Sequence, residues 1–377
     1  MDLNQRQQIA ETTSKGLADF ASKASETRVL VGFDGFVDSI IAVVDKRSSL
    51  HDYTPLATIA DFGQRISAAA GQSSNFELVT KIEKLGGNGP IMANALASGG
   101  VTTDYLGALG APAVHAAFSA LEEKATIHSV EEPGYTDALE FNDGKLMLGK
   151  YEHLARLNGD SVIEALGQET FTKLVSEAKL IGMVNWTMMT EAETIWEKVA
   201  DVLATVEQRP FIFIDLADPA KRTDEDILGA LKHAGRIQAH ADVVLGLNLS
   251  EGVQVARVLG LPNEADPEAA ILKLSTSIRE AIGIHGCVVH PRRGAAAALA
   301  DGSSAKFAGP FVEKPKLSTG AGDNFNAGFC LGLLAGLPVE QALCCGTATS
   351  GFYVREARSP QLQELITFCA DLPAPQA

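Results

Sequence analysis

Ser318-Thr-Gly-Ala-Gly-Asp-Asn-Phe-Asn-Ala-Gly328 is the stretch whose reading decides the fold. Three small residues, Gly320, Ala321 and Gly322, run directly into Asp323, and an apolar helical pattern follows at Phe325, Phe329, Leu331, Leu333 and Leu334. Glycine lets a main chain approach a ligand closely. The first N–H groups of a helix lack internal partners and carry partial positive charge. Together they cradle an anion. A carboxylate inside that cradle repels the anion, unless Asp323 takes a proton from a hydroxyl that attacks a phosphoryl group. A first-turn acid favoured by the helix dipole would explain the tripeptide alone. Set late in an α/β chain, after a Lys/Pro-rich loop and before a long helix, the stretch points to chemistry.

The chain has 377 residues, 46% of them apolar, enough for one large α/β domain or two smaller ones. Its net charge of −16 speaks against non-specific binding to nucleic acid or an anionic membrane. The five cysteines lie mostly in apolar runs without regular spacing, which reads as reduced core thiols in a cytoplasmic protein rather than disulfides or a zinc site. The N-terminus lacks the apolar core of a secretory signal, and no apolar run approaches a membrane span.

Working outward, residues 4–25 read as an amphipathic helix outside the main core, within an N-terminal extension over 1–27. The main domain, 28–377, opens with a strand at 28–33 and an extended run at 36–44. A helix near 56–69, a strand at 76–82 and a sharp turn at Gly86-Gly87-Asn88-Gly89-Pro90 follow, the turn opening a helix to Ser98. A strand at 102–106 and a helix over 112–124 come next. Asn142-Asp143-Gly144 between apolar arms marks a hairpin. From residue 179 strands and helices alternate: strands at 180–184, 211–214, 242–245 and 286–290, helices at 190–207, 224–236, 250–259 and 266–282. This is the pattern of a three-layer, doubly wound, mostly parallel sheet. A late hairpin around Asp301-Gly302 and two helices, from Asp323 and from Pro338, complete the chain. The segments at about 36–83 and 126–151 are expected to combine into a small β lid over one edge.

The chain resembles the ribokinase-like carbohydrate kinase family, also called the PfkB family. Thr319-Gly-Ala-Gly-Asp323 with Asn324-Phe-Asn-Ala-Gly328 matches its second motif, Gly86-Gly87-Asn88 its first more loosely, and Asn248-Leu-Ser-Glu251 an Asn-x-x-Glu element. The three stand in family order, and the likeness covers roughly residues 28–365. It implies an ATP- and Mg²⁺-dependent kinase acting on a hydroxyl of a sugar or sugar derivative. Asp323 would be the catalytic base, with the Gly320, Ala321 and Gly322 backbone stabilising charge on the transferred group. Phosphoryl transfer leaves the protein chiefly positioning and electrostatics, which suits this assignment.

By the same resemblance Asn248 and Glu251 orient waters on Mg²⁺; the competing account is a helix cap with a first-turn acid. Asp34 and Asp38, after the first strand, are the candidates to grip sugar hydroxyls, with Asp34 ranked first because Gly35 permits a turn towards a ligand. Gly87 and Asn88 would add sugar contacts, although Ile91 stands where the family usually has Asn, with Asn94 a turn later. Thr319 and Gly294 are expected near the nucleotide, with Arg293 or its neighbour Arg292 touching phosphate or simply solvated in the loop. Small residues after the motif, Cys345, Gly346, Ala348, Thr349 and Gly351, would leave room for adenine or simply pack two helices closely. Leu317 replaces a family Asp that helps build a monovalent-cation site, which puts potassium activation in doubt. Pro291 replaces a glycine. Gly144–Tyr151 matches a P-loop by letters only, and reads as a hairpin arm. His153 reads as an exposed polar residue. The rival functions are a nucleoside kinase, whose lid would need an apolar wall from Phe36, Tyr135 or Phe141, and a silent sugar- or nucleotide-binding protein. A homodimer through the lid is expected, because exposed sheet edges need cover.

Overall fold

The computed structural model describes residues 2–375. Fourteen strands are named here in chain order: β1 Arg28–Phe33, β2 Phe36–Arg47, β3 Tyr53–Pro55, β4 Leu78–Gly86, β5 Thr102–Gly107, β6 Thr126–Ser129, β7 Gly134–Phe141, β8 Gly144–Lys150, β9 Leu180–Val184, β10 Phe211–Asp215, β11 Asp242–Leu247, β12 Gly286–Val289, β13 Gly294–Leu299 and β14 Ser304–Ala308. Nine form the main sheet, in the order β14-β13-β12-β11-β10-β9-β1-β5-β6. From β12 to β6 all pairings are parallel; β13 and β14 return antiparallel. Side-chain alternation feeds both faces. In β9, Ile181 and Met183 join one apolar layer while Leu180 and Val184 join the other. Valine- and isoleucine-rich strands buried on both faces are what a helix-covered parallel sheet requires. The doubly wound architecture is as the alternation from residue 179 implies.

The lid is a second sheet, β3-β2-β7-β8, with β4 on the other side of β2. β2 and β7 run parallel, from Phe36 opposite Gly134 to Ile41 opposite Leu139. Two segments nearly a hundred residues apart therefore meet, as the early and separated β material implies. One end of the lid has its own small core, Ile41, Val43, Leu56, Phe62, Leu139 and Phe141. The Asn142-Asp143 turn joins β7 to β8 as an antiparallel hairpin, so the P-loop-like letters of Gly144–Tyr151 belong to a strand arm.

Three expectations change. Thr126–Ser129 does not join the lid but extends the main sheet beside β5. The helix expected over 112–124 shrinks to a 3₁₀ turn at Ala116–Phe118 and a helix at Ser119–Glu122. The chain before it turns through Gly110, at φ 120°, and the His115 ring caps the turn by accepting from the Ala117 N–H. The N-terminal helix, Leu3–Phe20, is not outside the core: Ala10 and Leu17 are fully buried in the main apolar layer. Its Arg6 guanidinium donates to the carbonyls of Ala308, Leu372 and Pro373, and the Ser14 hydroxyl to Ile366 O at 2.8 Å. Its apolar stripe finds a partner in the C-terminal helix Leu362–Ala370, which sequence reading from the N-terminus alone does not supply.

All five cysteines are buried and unpaired, with Cys330, Cys344 and Cys345 lying on the helices Ala321–Leu334 and Val339–Glu356. Among the described residues no helix is long and apolar enough to cross a membrane.

Truncating Leu17 to Ala should lower unfolding free energy by about 2–5 kcal/mol, as for other fully buried leucines. Urea melts monitored by circular dichroism would measure it. A change near zero would show that the helix contributes nothing to the core.

Candidate active site

The winding of the main sheet reverses between β1 and β9, from which strands are added outward to either side. Open α/β sheets bind ligands beyond the carboxyl ends of the strands at such a point. The chain delivers polar groups there from successive strands: Asp34 after β1, Asn185 after β9, Asp215 at the end of β10, Asn248 after β11 and His290 after β12.

Asp323 lies in the first turn of the helix Ala321–Leu334 and is only 7% exposed. It lines a cavity of about 490 Å³ together with Asn88, Asp215, Asn248, Glu251 and Gly322. Gly320 precedes the helix at φ 89°, and a Cβ there would come within 2.8 Å of the Tyr353 hydroxyl, so only glycine suits the position. The loop is tied from behind. Tyr353 donates to Thr319 O at 2.8 Å, and Asn324 donates to Gly320 O through both its backbone and side-chain nitrogens. Asn88 Nδ2 donates to Asp323 Oδ1 at 2.8 Å. Burial pushes the Asp323 carboxyl up to about 7; the Asn88 hydrogen bond opposes this, and Asp34 and Glu251 add to it. A carboxylate poised near neutrality suits a general base.

The two acids after β1 sit in different surroundings. Asp34 is fully buried beneath the cavity. Its carboxylate accepts from the Asn88 N–H at 3.0 Å, the Gly89 N–H at 2.8 Å and Asn185 Nδ2 at 2.6 Å. None of its surface is exposed, and burial raises its carboxyl to about 6. Gly87, at φ 92°, is likewise turned towards this acid: a Cβ there would lie 2.8 Å from Asp34 Oδ2. Asp38 is instead a lid residue on β2, opposite Lys84, lining a second cavity with Ile91, Asn94, Leu317, Thr319 and Tyr353.

Asn248 and Glu251 both line the main cavity, and they also form the helix cap that competed with the metal reading. Glu251 N–H donates to Asn248 Oδ1 at 3.0 Å, and Asn248 N–H to Glu251 Oε2 at 2.8 Å. The two accounts do not exclude each other, because the cap fixes a carboxylate that still borders the cavity. Asp215 was missed. Its oxygens accept from the Ala217 N–H at 2.8 Å and from Asn326 Nδ2 at 2.6 Å. Burial, then Glu251 and Asp323, hold its carboxyl well above the usual range. The signal was an acid closing the apolar run Phe211-Ile-Phe-Ile-Asp215 at its carboxyl end.

The outer wall of the cavity is more apolar: Pro310, Phe311, Val312, Pro315 and Val354, with Gly294, Thr347, Ser350 and Gly351. Gly294 and Gly351, expected near the nucleotide, border this cavity. Three other residues expected there lie differently. Thr319 faces the second cavity, and Ser318 takes its place in the main one. Ala348 is wholly buried and does not line the cavity, whereas its helix neighbours Thr347 and Gly351 border it. Arg292 borders the cavity, whereas the Arg293 guanidinium lies 4.2 Å over the Phe311 ring. Close packing accounts for Gly346 and Thr349, which lie against Phe325 and Gly328. His290, stacked 4.4 Å from Phe325, lines the cavity as a neutral ring, its acidity shifted by burial to about 4. His153 sits away from the cavity, half-buried beside Glu131 and Arg156.

A model of the prokaryotic ketohexokinase family matches residues 6–372. The chain belongs to that family. It is 29% identical over 357 residues to a ketohexokinase of Haloferax volcanii, covering 91% of each chain. Solved structures share the fold at lower identity. Ribokinase of Arabidopsis thaliana, solved with ribose and ATP, is 15% identical with a TM-score of 0.61, over 91% of this chain and 98% of that one. Adenosine kinase of Sinorhizobium meliloti is 14% identical with a TM-score of 0.60, over 92% and 99%. The protein is thus a ribokinase-like carbohydrate kinase, a phosphotransferase with an alcohol acceptor.

Asp323→Asn should raise the melting temperature at pH 8. The folded-state pKa lies above the unfolded one, so ionising this acid costs stability at alkaline pH, and the neutral isostere removes that cost. Below about pH 4, where both states are protonated, the gain should vanish. Scanning calorimetry at both pH values measures the difference.

Proposed function

We propose that this kinase transfers the γ-phosphate of ATP to a hydroxyl of a ketohexose, with Asp323 as general base. The observation that carries the base assignment is the desolvated Asp323 carboxylate, fixed by Asn88 at the wall of a cavity that begins at a helix N-terminus. The ketohexose follows from the family and from the Haloferax volcanii relative. ATP as donor rests on the kinase family and on the Arabidopsis neighbour, solved with ATP. Asp323 accepts the acceptor hydroxyl's proton as its oxygen attacks phosphorus. The backbone of Gly320, Ala321 and Gly322 supports charge on the transferred group.

Asp215, Glu251 and Asp323 converge on this cavity, and Arg292 is the one Lys or Arg among its lining residues. A polyphosphate would be repelled from such walls without a divalent cation. Among the described residues no group of three or more His, Cys, Asp or Glu could hold a metal by itself. The donors therefore fit Mg²⁺, which keeps several waters and shares phosphate oxygens. Glu251, with Asn248 and Asp215, would hold it, and when bound it neutralises charge on the phosphates. A monovalent cation fits poorly. Leu317 brings no carboxylate, Thr319 O and Gly320 O already accept protein hydrogens, and the Ser359 hydroxyl is directed to Asn324 Oδ1. A nucleoside acceptor also fits poorly, since Phe36 packs on Tyr151 and Phe141 on Phe62, leaving little apolar wall for a base.

The lid supports a homodimer. Ile82, Ile40, Ala138 and Met147 stand in register across four strands, and Ile82 and Met147 are 58% and 56% exposed. A second copy would cover this row.

Asp323→Asn should lower kcat by at least about 10²–10⁴-fold with nucleotide binding kept, measured by coupled ADP release and calorimetric titration. Near-normal turnover would reject the base. Wild-type kcat should rise with pH through a midpoint near 7, the acidity given to Asp323 by burial. Met147→Glu should shift sedimentation from dimer to monomer; an unchanged profile would place any dimer interface elsewhere.

A further inference from the structure

Asp34 is a fully buried carboxylate with no protein cation among its hydrogen-bond partners. It needs an account of its own. We propose that Asp34 is a positioning residue for phosphoryl transfer: it fixes the turn Gly87–Gly89 so that the Asn88 carboxamide holds Asp323 towards the cavity. The proposal rests on Asp323 being the base.

The geometry is continuous. Asn185 Nδ2 donates to Asp34 Oδ2 at 2.6 Å, the Asn88 N–H donates to the same oxygen at 3.0 Å, and the Gly89 N–H donates to Oδ1 at 2.8 Å. The Asn88 side chain, on the residue whose backbone is thus pinned, donates to Asp323 Oδ1 at 2.8 Å. Asp34 fills the cradle at the start of the helix Asn88–Ser98 as an internal anion. Side chains at 87 or 89 would collide with it, since Cβ atoms there would lie 2.8 and 2.6 Å from its oxygens. The Gly-Gly-Asn-Gly turn is thereby explained by a protein carboxylate. From below, the Tyr105 hydroxyl donates to the Asp34 main-chain carbonyl. Tyr105 and Asp323 are the titratable groups coupled to Asp34.

The site is also asymmetric in a way that makes an isostere informative. Three donors converge on Asp34, and Asn185 Oδ1 is buried without a partner. In Asp34→Asn, an NH2 group at the Oδ2 position faces the Asn88 N–H and Asn185 Nδ2, and at the Oδ1 position it faces the Gly89 N–H. Either way an N–H of the turn Gly87–Gly89 loses its bond, and the anchor of the Asn88 side chain is weakened.

The test is a kinetic cycle on the full-length enzyme with Asp34→Asn, Asn88→Ala and the double variant, with Asp323→Asn as reference. Asp34→Asn should lower kcat by about 10- to 100-fold, as for misplaced catalytic groups, with nucleotide KM unchanged. The double variant should be no slower than the slower single one. The acid limb of kcat should move to higher pH in both single variants, because each loses the Asn88 bond that steadies the ionised base. A limb moving to lower pH in Asp34→Asn, as simple removal of a neighbouring charge would give, overturns the proposal; so do additive losses or wild-type kcat. If circular dichroism shows that Asp34→Asn is unfolded, Asn185→Gly replaces it, since Asn185 has φ 59° and glycine keeps that backbone. It should slow turnover without adding to Asn88→Ala, and wild-type kcat or additivity overturns the proposal. Lost turnover in Asp323→Asn beside normal Asp34→Asn rejects this proposal alone. Retained turnover in Asp323→Asn rejects the base and this proposal together.

Discussion

Carboxylates buried together without a protein cation are the constraint from which the rest of this structure follows. Asp34, Asp215, Glu251 and Asp323 are each at most 7% exposed, and among the described residues none of them pairs with a Lys or Arg. Desolvation of unpaired acids is costly unless hydrogen bonds or protons compensate. Here backbone amides and carboxamides compensate. Asp34 has two amides and Asn185, Asp215 has Ala217 and Asn326, Glu251 has Asp218 and Asn248, and Asp323 has Asn88. The amides come from loops at the strand ends, some in unusual conformations: Asn185, Ala217 and Asp218 all have positive φ. Those conformations aim N–H groups and a carboxamide at the acids.

This arrangement gives each acid a different capacity. Asp34, with three donors, is wholly enclosed and turned to the Gly87–Gly89 turn and Asn185. Glu251 and Asp215 keep lone pairs towards the cavity. Asp323 has the single Asn88 side-chain donor, and its acidity stays close to neutral. Differentiation of like groups by their hydrogen-bond complement is how one pocket would combine the base proposed for Asp323 with groups suited to an ion.

Much of this was legible in the chain. The Gly-Ala-Gly-Asp cradle, the alternation after residue 179 and the Asn-Asp-Gly hairpin each rest on local chemistry, and each lies where local chemistry puts it. What escaped was set by tertiary contact. Asp34 and Asp38 are four residues apart and equally polar, and what distinguishes them is tertiary: the turn Gly87–Gly89 and Asn185, 151 positions on, close over Asp34. Asp215 looked like a strand end until Asn326 met it. The N-terminal helix found its partner at the far end of the chain. Thr319 and Ala348 were assigned to the nucleotide by neighbourhood, whereas helix and loop periodicity turned the adjacent Ser318 and Thr347 to the cavity.

The buried thiols carry one more consequence. Cys330 and Cys345 face each other across the seam between the helix that begins near Asp323 and the one that carries Tyr353. Burial holds Cys330 and Cys345 in the protonated, unreactive form. An alkylating reagent reaches them only when the seam parts, so labelling kinetics become a clock for the opening of the scaffold beneath Asp323, read without substrate.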